Sequence, residues 1–249
     1  MKEIRFFYAP DAAQSNSLPE EEAHHAVRVL RLNVNDNIYI TDGKGHLYTA
    51  KITEADNRNC RFEILDCQEQ SPSWNGHLHI AMAPTKNIDR TEWFVEKATE
   101  IGIDRLSFLK CAFSERTSIN AERIERIFVS AMKQSHKLTL PQFDNITKFS
   151  DFITLPFEGR KFIAHCYDQP ELNPEGKPFL LDALADNQED ALVLIGPEGD
   201  FSVNEVTAAI TAGYIPISLG ESRLRTETAA LVALHMMNIN NRKKDVCKN

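Results

Sequence analysis

Short apolar runs that alternate with helix-patterned stretches constrain this chain more than any other feature. His77–Ala83, Ile103–Cys111, Phe162–Tyr167, Ala191–Ile195 and Ile215–Leu219 read as strands. Phe162–Tyr167 and Ala191–Ile195 are short apolar runs that suit burial on both faces, the mark of a parallel sheet. Between them lie helix signals. Asp89 is placed to cap a helix through Thr99, and Asn120 a long one through about Gln134. Val203–Ala212 reads as a helix ended by Gly213, and Thr226–Asn241 as the last helix. Strand and helix in alternation predict an α/β domain with a mostly parallel sheet.

The first ~70 residues follow a different rule. Ile38–Thr41, Leu47–Thr53 and Arg61–Asp66 are rich in β-branched and aromatic residues, and Asp42-Gly43-Lys44-Gly45 is a hairpin signal. Ser17-Leu18-Pro19-Glu20 has the form of a capping box, so a short helix is expected to about Leu30. Ala23, Ala26, Val27 and Leu30 share one face of it, while Arg28 and Arg31 project elsewhere. The expected division is a β-rich domain over 1–71, a linker over 72–76 and an α/β domain over 77–249.

The carboxyl ends of strands are where open α/β sheets bind ligands. Two strands here run into glycine-containing loops. One reads Ile195-Gly196-Pro197-Glu198-Gly199-Asp200-Phe201-Ser202, with Ser202 and Glu205 forming a capping box. The other reads Leu219-Gly220-Glu221-Ser222-Arg223-Leu224-Arg225-Thr226-Glu227-Thr228-Ala229-Ala230. Unpaired backbone groups in such loops suit the polar edges of a purine. Neither loop is a dinucleotide-binding G-x-G-x-x-G or a phosphate-binding Walker A.

Composition narrows the class. A net charge of −8 argues against a general nucleic-acid binder, yet 110–148 holds seven Lys/Arg against four Asp/Glu, and the tail 242–249 four against one. Arg28 and Arg31 add a third basic spot beside His24 and His25. Solvated helix faces are the plainer explanation of each. The five cysteines are scattered without C-x-x-C, which speaks against zinc or a redox pair and for a reducing compartment. No apolar run approaches the ~20 residues of a membrane span. The start MKEIRFFYAPD has no export-signal core. A cytoplasmic protein with no membrane association and no metal is expected.

Ordered blocks along the chain resemble one family. They are Glu21–Leu32, the turn Asp42–Gly45, Asp89–Gly102, Ser114–Arg116, Lys133–Ser135 and the two glycine loops. Together they are similar to the ribosomal RNA small subunit methyltransferase E family, the 16S rRNA uridine N3-methyltransferases of the SPOUT superfamily. The resemblance implies a carboxyl-terminal trefoil knot and a PUA-like amino-terminal β-barrel domain that contacts RNA. It implies S-adenosylmethionine as cofactor, with S-adenosylhomocysteine as product, and a homodimer acting on 16S rRNA of the small ribosomal subunit. Carried over by position, Ile195, Gly196, Glu198, Gly199, Leu219, Gly220, Leu224, Arg225, Thr226, Thr228 and Ala229 fall in the cofactor loops. Arg5, Arg28, Arg31, Arg116, Lys133, Gln134 and Lys137 are the positions expected to face RNA.

The chain departs from the family pattern in two places. Asp200 stands where a second glycine is usual, and Ser135-His136-Lys137 stands where a small residue, glycine and arginine are frequent. Lys137 keeps the charge of that arginine but not its bidentate geometry. For the chemistry the resemblance implies, Arg225 is the candidate to stabilise a uracil anion. Its other reading is a salt bridge to Glu198 or Glu227. Glu198 is a candidate proton acceptor, or else it orients Arg225 and its loop. His24 and His25 fit structural or RNA-facing roles better than catalytic ones, and His136 is placed to approach RNA. Two alternatives stand beside this reading: an RNA-binding assembly factor that has lost catalysis at Asp200, and a related methyltransferase acting on another RNA.

Overall fold

In the computed structural model, residues 5–56, 59–173, 175–184 and 189–243 are described. The chain groups into two compact units. One comprises 1–72 with 129–140, the other 73–128 with 141–249.

The first unit is built on a four-stranded sheet of β1 (Phe6–Tyr8), β2 (Asn37–Thr41), β3 (His46–Ala55) and β4 (Cys60–Glu69), in that order. β2, β3 and β4 pair antiparallel through the expected hairpin, whose Gly43 and Gly45 both have positive φ. β1, which has no pattern of its own, pairs parallel to β2. Phe7, Ile38, Ile40, Ala50, Ile52 and Phe62 form the core, and Ala23 and Ala26 pack on it with Val27 and Leu30, the face expected of the short helix.

That helix differs from expectation. α1 (Glu20–His24) starts with Pro19 as N-cap and no side-chain cap. The capping box does not form, because Ser17 Oγ donates instead to Asn59 Oδ1 and the Leu18 carbonyl. α1 runs into one π-helical turn, His25–Val29, after which Arg31 takes φ +53° and Leu32 N–H reaches back to the Ala26 carbonyl. Such a left-handed closing residue is the usual way to stop a helix.

The second unit carries six parallel strands: β5 (Leu78–Met82), β6 (Arg105–Lys110), β7 (Gln142–Lys148), β8 (Arg160–Ala164), β9 (Ala191–Ile195) and β10 (Ile215–Ile217). Their order is β10-β8-β9-β5-β6-β7. β5 and β9 are buried throughout, as two-sided burial requires. The helices that follow in the chain are α2 (Ile88–Ile101), α3 (Ala121–Gln134), whose residues from Val129 on group with the first unit, α4 (Phe149–Phe152), α5 (Leu180–Leu184), α6 (Val203–Thr211) and α7 (Thr226–Asn241). α2 is capped by Asn87, whose side chain accepts from Asp89 N–H, rather than by Asp89 itself. Asn120 caps α3 as expected, accepting from Arg123 N–H. β7, unmarked in the sequence, holds Asp144, which pairs bidentately with Arg105 of β6 at 2.7 and 2.8 Å. The stretch expected as linker is anchored in this unit. Trp74 is buried, and its Nε1–H donates to Asp104 Oδ2 at 2.9 Å.

Candidate active site

Because β8, β9 and β10 are neighbours, the loops at their carboxyl ends converge. A cavity of about 790 Å³ lies among them. Nine of the eleven residues expected in the cofactor loops line it: Ile195, Gly196, Glu198, Leu219, Gly220, Leu224, Arg225, Thr226 and Ala229. Thr228 and Gly199 do not. A Cβ on Gly199 would stand 3.1 Å from Phe113 Cβ, so that glycine serves a close approach to Phe113. Gly220 differs again. Its φ of +121° demands glycine although nothing lies within 4 Å of an added Cβ.

The predicted capping box at the head of α6 is present. Ser202 Oγ accepts from Glu205 N–H while Glu205 Oε2 accepts from Ser202 N–H. Before it, Asp200 sits at φ +67°. A left-handed residue is ordinarily glycine, and aspartate is among the few others that tolerate it. Here its carboxylate is also used. Oδ1 accepts from Phe201 N–H at 2.7 Å, and Oδ2 from Cys166 N–H at 2.8 Å, tying the loop after β9 to the one after β8.

That third loop, after β8, went unread in the sequence. Ala164, His165, Cys166, Asp168 and Lys177 all line the cavity. Lys177 Nζ fastens the loop, donating to the carbonyls of His165 and Tyr167 and to Asp168 Oδ1. His165 Nδ1 accepts from Tyr167 N–H, and burial, with the Lys177 charge, holds this imidazole below its ordinary pKa. The neutral ring is thereby favoured.

Arg225 is the N-cap residue of α7 and is exposed at the cavity. Neither carboxylate considered as its partner pairs with it. Glu198 Oε1 accepts from Lys86 N–H at 2.8 Å, and Glu227 faces Arg90 at 3.9 Å. No group of three His, Cys, Asp or Glu among the described residues could hold a metal.

The positions expected to face RNA divide. Arg28, Arg31 and Gln134 are exposed. Arg5 pairs with Asp36 at 2.9 Å. Lys133 pairs with the buried Glu22, and Lys137 is half-buried, which lowers its pKa. His136 is exposed, with φ +53° and its ring 5.5 Å from that of Phe6. Arg116 spends its Nε–H on the Thr85 carbonyl at 3.1 Å and its Nη2 on the Lys86 carbonyl at 2.8 Å. Its outer face borders a second cavity of about 690 Å³ with Arg123, Arg126, Asp89 and Glu92.

Known proteins share this architecture. The family model of an RNA methyltransferase domain matches residues 72–238, and that of an RNA methyltransferase PUA domain matches 18–65. A probable rRNA-methyltransferase from Porphyromonas gingivalis is 41% identical, with a TM-score of 0.86, over 96% of this chain and 98% of that one. The structure of a ribosomal RNA small subunit methyltransferase E from Neisseria gonorrhoeae bound to S-adenosyl methionine is 27% identical, with a TM-score of 0.79, over 95% and 98%. The Buchnera aphidicola (Schizaphis graminum) protein of the same name is 26% identical over 232 residues, 90% of this chain and 89% of its own. With the domain match extending over well more than half of its length, the chain belongs to the RNA methyltransferases, as a member of the ribosomal RNA small subunit methyltransferase E family.

Proposed function

We propose that this protein methylates N3 of a specific uridine in 16S rRNA of the small ribosomal subunit, using S-adenosylmethionine and releasing S-adenosylhomocysteine. The observation that carries this is the convergence of three loops, from adjacent parallel strands, on one cavity with the Arg225 guanidinium, paired with neither Glu198 nor Glu227, at its wall. The cavity lies within the size range of small-molecule sites. Ile195, Leu219 and Leu224 offer an apolar seat for a purine, with backbone groups of Leu219 to Leu224 for its polar edge. The cofactor supplies an electrophilic methyl group.

Uracil N3 carries a proton at neutral pH, so the new N–C bond requires that proton to leave and a negative charge to be met. Arg225 is the group for the second task, since a fixed donor aimed at developing charge stabilises the transition state more than the ground state. Glu198 is the candidate for the first. Its Oε1 is held by Lys86 N–H, which leaves Oε2 for a proton. Alignment of N3, methyl and sulfur accounts for much of the remaining rate.

The same proposal gives residues 1–71 the reading of RNA, with Arg28 and Arg31 as contacts. It places the cofactor in 77–249, in a trefoil knot, and the enzyme in the cytoplasm as a homodimer. Among the described residues no helix is long and apolar enough to cross a membrane. The reading of a catalytically dead factor rested on Asp200, whose carboxylate ties the loops after β8 and β9 together. Arg225→Ala should lower turnover roughly 100- to 1,000-fold, the usual loss for such a donor, while calorimetry finds cofactor affinity within a few fold. Unchanged turnover would remove Arg225 from the mechanism. Loss of 3-methyluridine from 16S rRNA in a deletion strain, read by mass spectrometry, tests the target.

A further inference from the structure

The segment after β6 touches the site's surroundings at four points. Ala112 N–H donates to Glu205 Oε1 at 2.8 Å, the residue that closes the capping box of α6. Phe113 lies against Gly199. Glu115 pairs with Lys86 Nζ at 2.7 Å, and Arg116 holds the carbonyls of Thr85 and Lys86. The segment is itself pinned, since Cys111 N–H donates to Ser114 Oγ at 2.9 Å.

The consequence concerns Glu198. Its Oε1 is held by one backbone N–H, that of Lys86. The orientation of that peptide depends on what holds the carbonyls beside it. Arg116 grips both, with two N–H groups of one rigid plane, a geometry a lysine ammonium does not reproduce. On the other side of the Lys86 loop, Thr85 N–H and Oγ1 bond to Thr91 Oγ1 at 2.9 and 2.7 Å. The loop is thus clamped from α2 and from the segment after β6.

We infer that Arg116 is a positioning residue for the methyl-transfer site, acting through the Thr85–Lys86 backbone on Glu198, rather than a contact to RNA. This rests on the reading of the cavity as the cofactor site. Arg116 does not line that cavity. It sets the angle at which the Glu198 carboxylate meets the cavity, and misplacement of a reacting group by about 1 Å costs on the order of 100-fold in rate.

Three measurements on the full-length protein test it: S-adenosylmethionine binding without RNA, single-turnover methylation at saturating small subunits, and subunit binding as a function of salt. Arg116→Ala should slow single turnover about 10- to 100-fold and weaken cofactor binding several-fold. Subunit affinity and its salt slope should be unchanged. Arg116→Lys, which keeps the charge and folds more safely, should show the same loss. The double variant with Glu198→Gln should be no slower than the slower single variant, because both break one linkage. The inference is overturned if lysine rescues, or if the rate at saturation is normal while subunit binding weakens and its salt slope falls by about one. Failure of the wild-type protein to take up S-adenosylmethionine would overturn the cofactor reading as well. Normal wild-type uptake with unaffected Arg116 variants overturns this inference alone.

Discussion

Replacing Asp200 separates two forces at one residue. Its backbone is left-handed and its carboxylate accepts two N–H groups. Both bonds are at least partly reached by solvent, so each contributes about 0.5–1 kcal/mol net. Asp200→Asn keeps the tolerance for positive φ and one acceptor, for a loss of about 0.5–1 kcal/mol. Asp200→Gly loses both acceptors. Relief of left-handed strain is roughly offset by added freedom of the unfolded chain, for a loss of about 1–2 kcal/mol. Asp200→Ala loses both acceptors and pays the full left-handed penalty, for about 2–3 kcal/mol. The expected order of damage is therefore Asn, Gly, Ala, with Gly and Ala about 1 kcal/mol apart. Urea denaturation at fixed pH reads the order. Repeating it with cofactor at 100 times its dissociation constant, which adds about 2.7 kcal/mol to any variant that still binds, shows whether the linked loops hold the cavity open. Equal stability of the Gly and Ala variants would refute the backbone half of the reasoning. A glycine variant as stable as wild type would refute the carboxylate half.

Three further outcomes are expected. His79 is buried, with Nε2 2.8 Å from Ser107 Oγ, and burial first, then Arg105 and His77, hold its pKa down at about 3 against an ordinary 6.5. The folded state therefore resists a proton that the unfolded state accepts. His79 should contribute fully above about pH 6.5 and lose about 1.4 kcal/mol per pH unit below it, on a limb to which His165, also held below its ordinary pKa, adds; the limb should be less steep in His79→Phe. Asp144, whose pKa is lowered by Arg105 and Ser107 against its burial, adds its loss only below its ordinary 3.8, so an unchanged slope between pH 6.5 and 4.5 in the variant would exclude His79. Gly102→Ala should destabilise by about 2–4 kcal/mol, because its Cβ would stand 2.4 Å from the Trp74 ring at φ +121°; a loss under about 0.5 kcal/mol in urea would contradict that packing. Cys166 lines the cavity, and burial, then the Asp200 charge, raises its thiol pKa, so iodoacetamide should modify it slowly. S-adenosylmethionine should protect it while exposed Cys67 reacts as before. Peptide mass spectrometry showing no protection would count against the cofactor reading of the cavity.

The two glycine loops were legible because their constraints are local. Gly220 needs positive φ, and Ser202 with Glu205 needs only the spacing of a capping box. α7 was legible end to end, since Thr226–Asn241 is apolar around much of its circumference. The loop of His165 to Lys177 was not. It joins the site only because β8 lies between β9 and β10, and strand order leaves no mark in a local pattern. Short β1 and the edge strand β7 were missed for a related reason: each is held by pairing with a neighbour rather than by an apolar period of its own. Lys133 and Arg116 show the limit for single charges. Sequence marks a cation as available, whereas Glu22 and the Thr85 and Lys86 carbonyls take them up in the folded chain.

The order β10-β8-β9-β5 also has a bearing on how the protein is made. The walls of the cavity come from the loops after β8, β9 and β10, and β10 is the last of the six strands in chain order. A chain emerging from the ribosome can assemble β5, β6 and β7 early, yet it holds no cavity until β10 and the head of α7 have been translated and docked. Closing such distant pairings is slow. On the proposed reading of the cavity, cofactor capture waits for β10 and the head of α7, and the free energy of that capture falls on the part of the sheet that forms last.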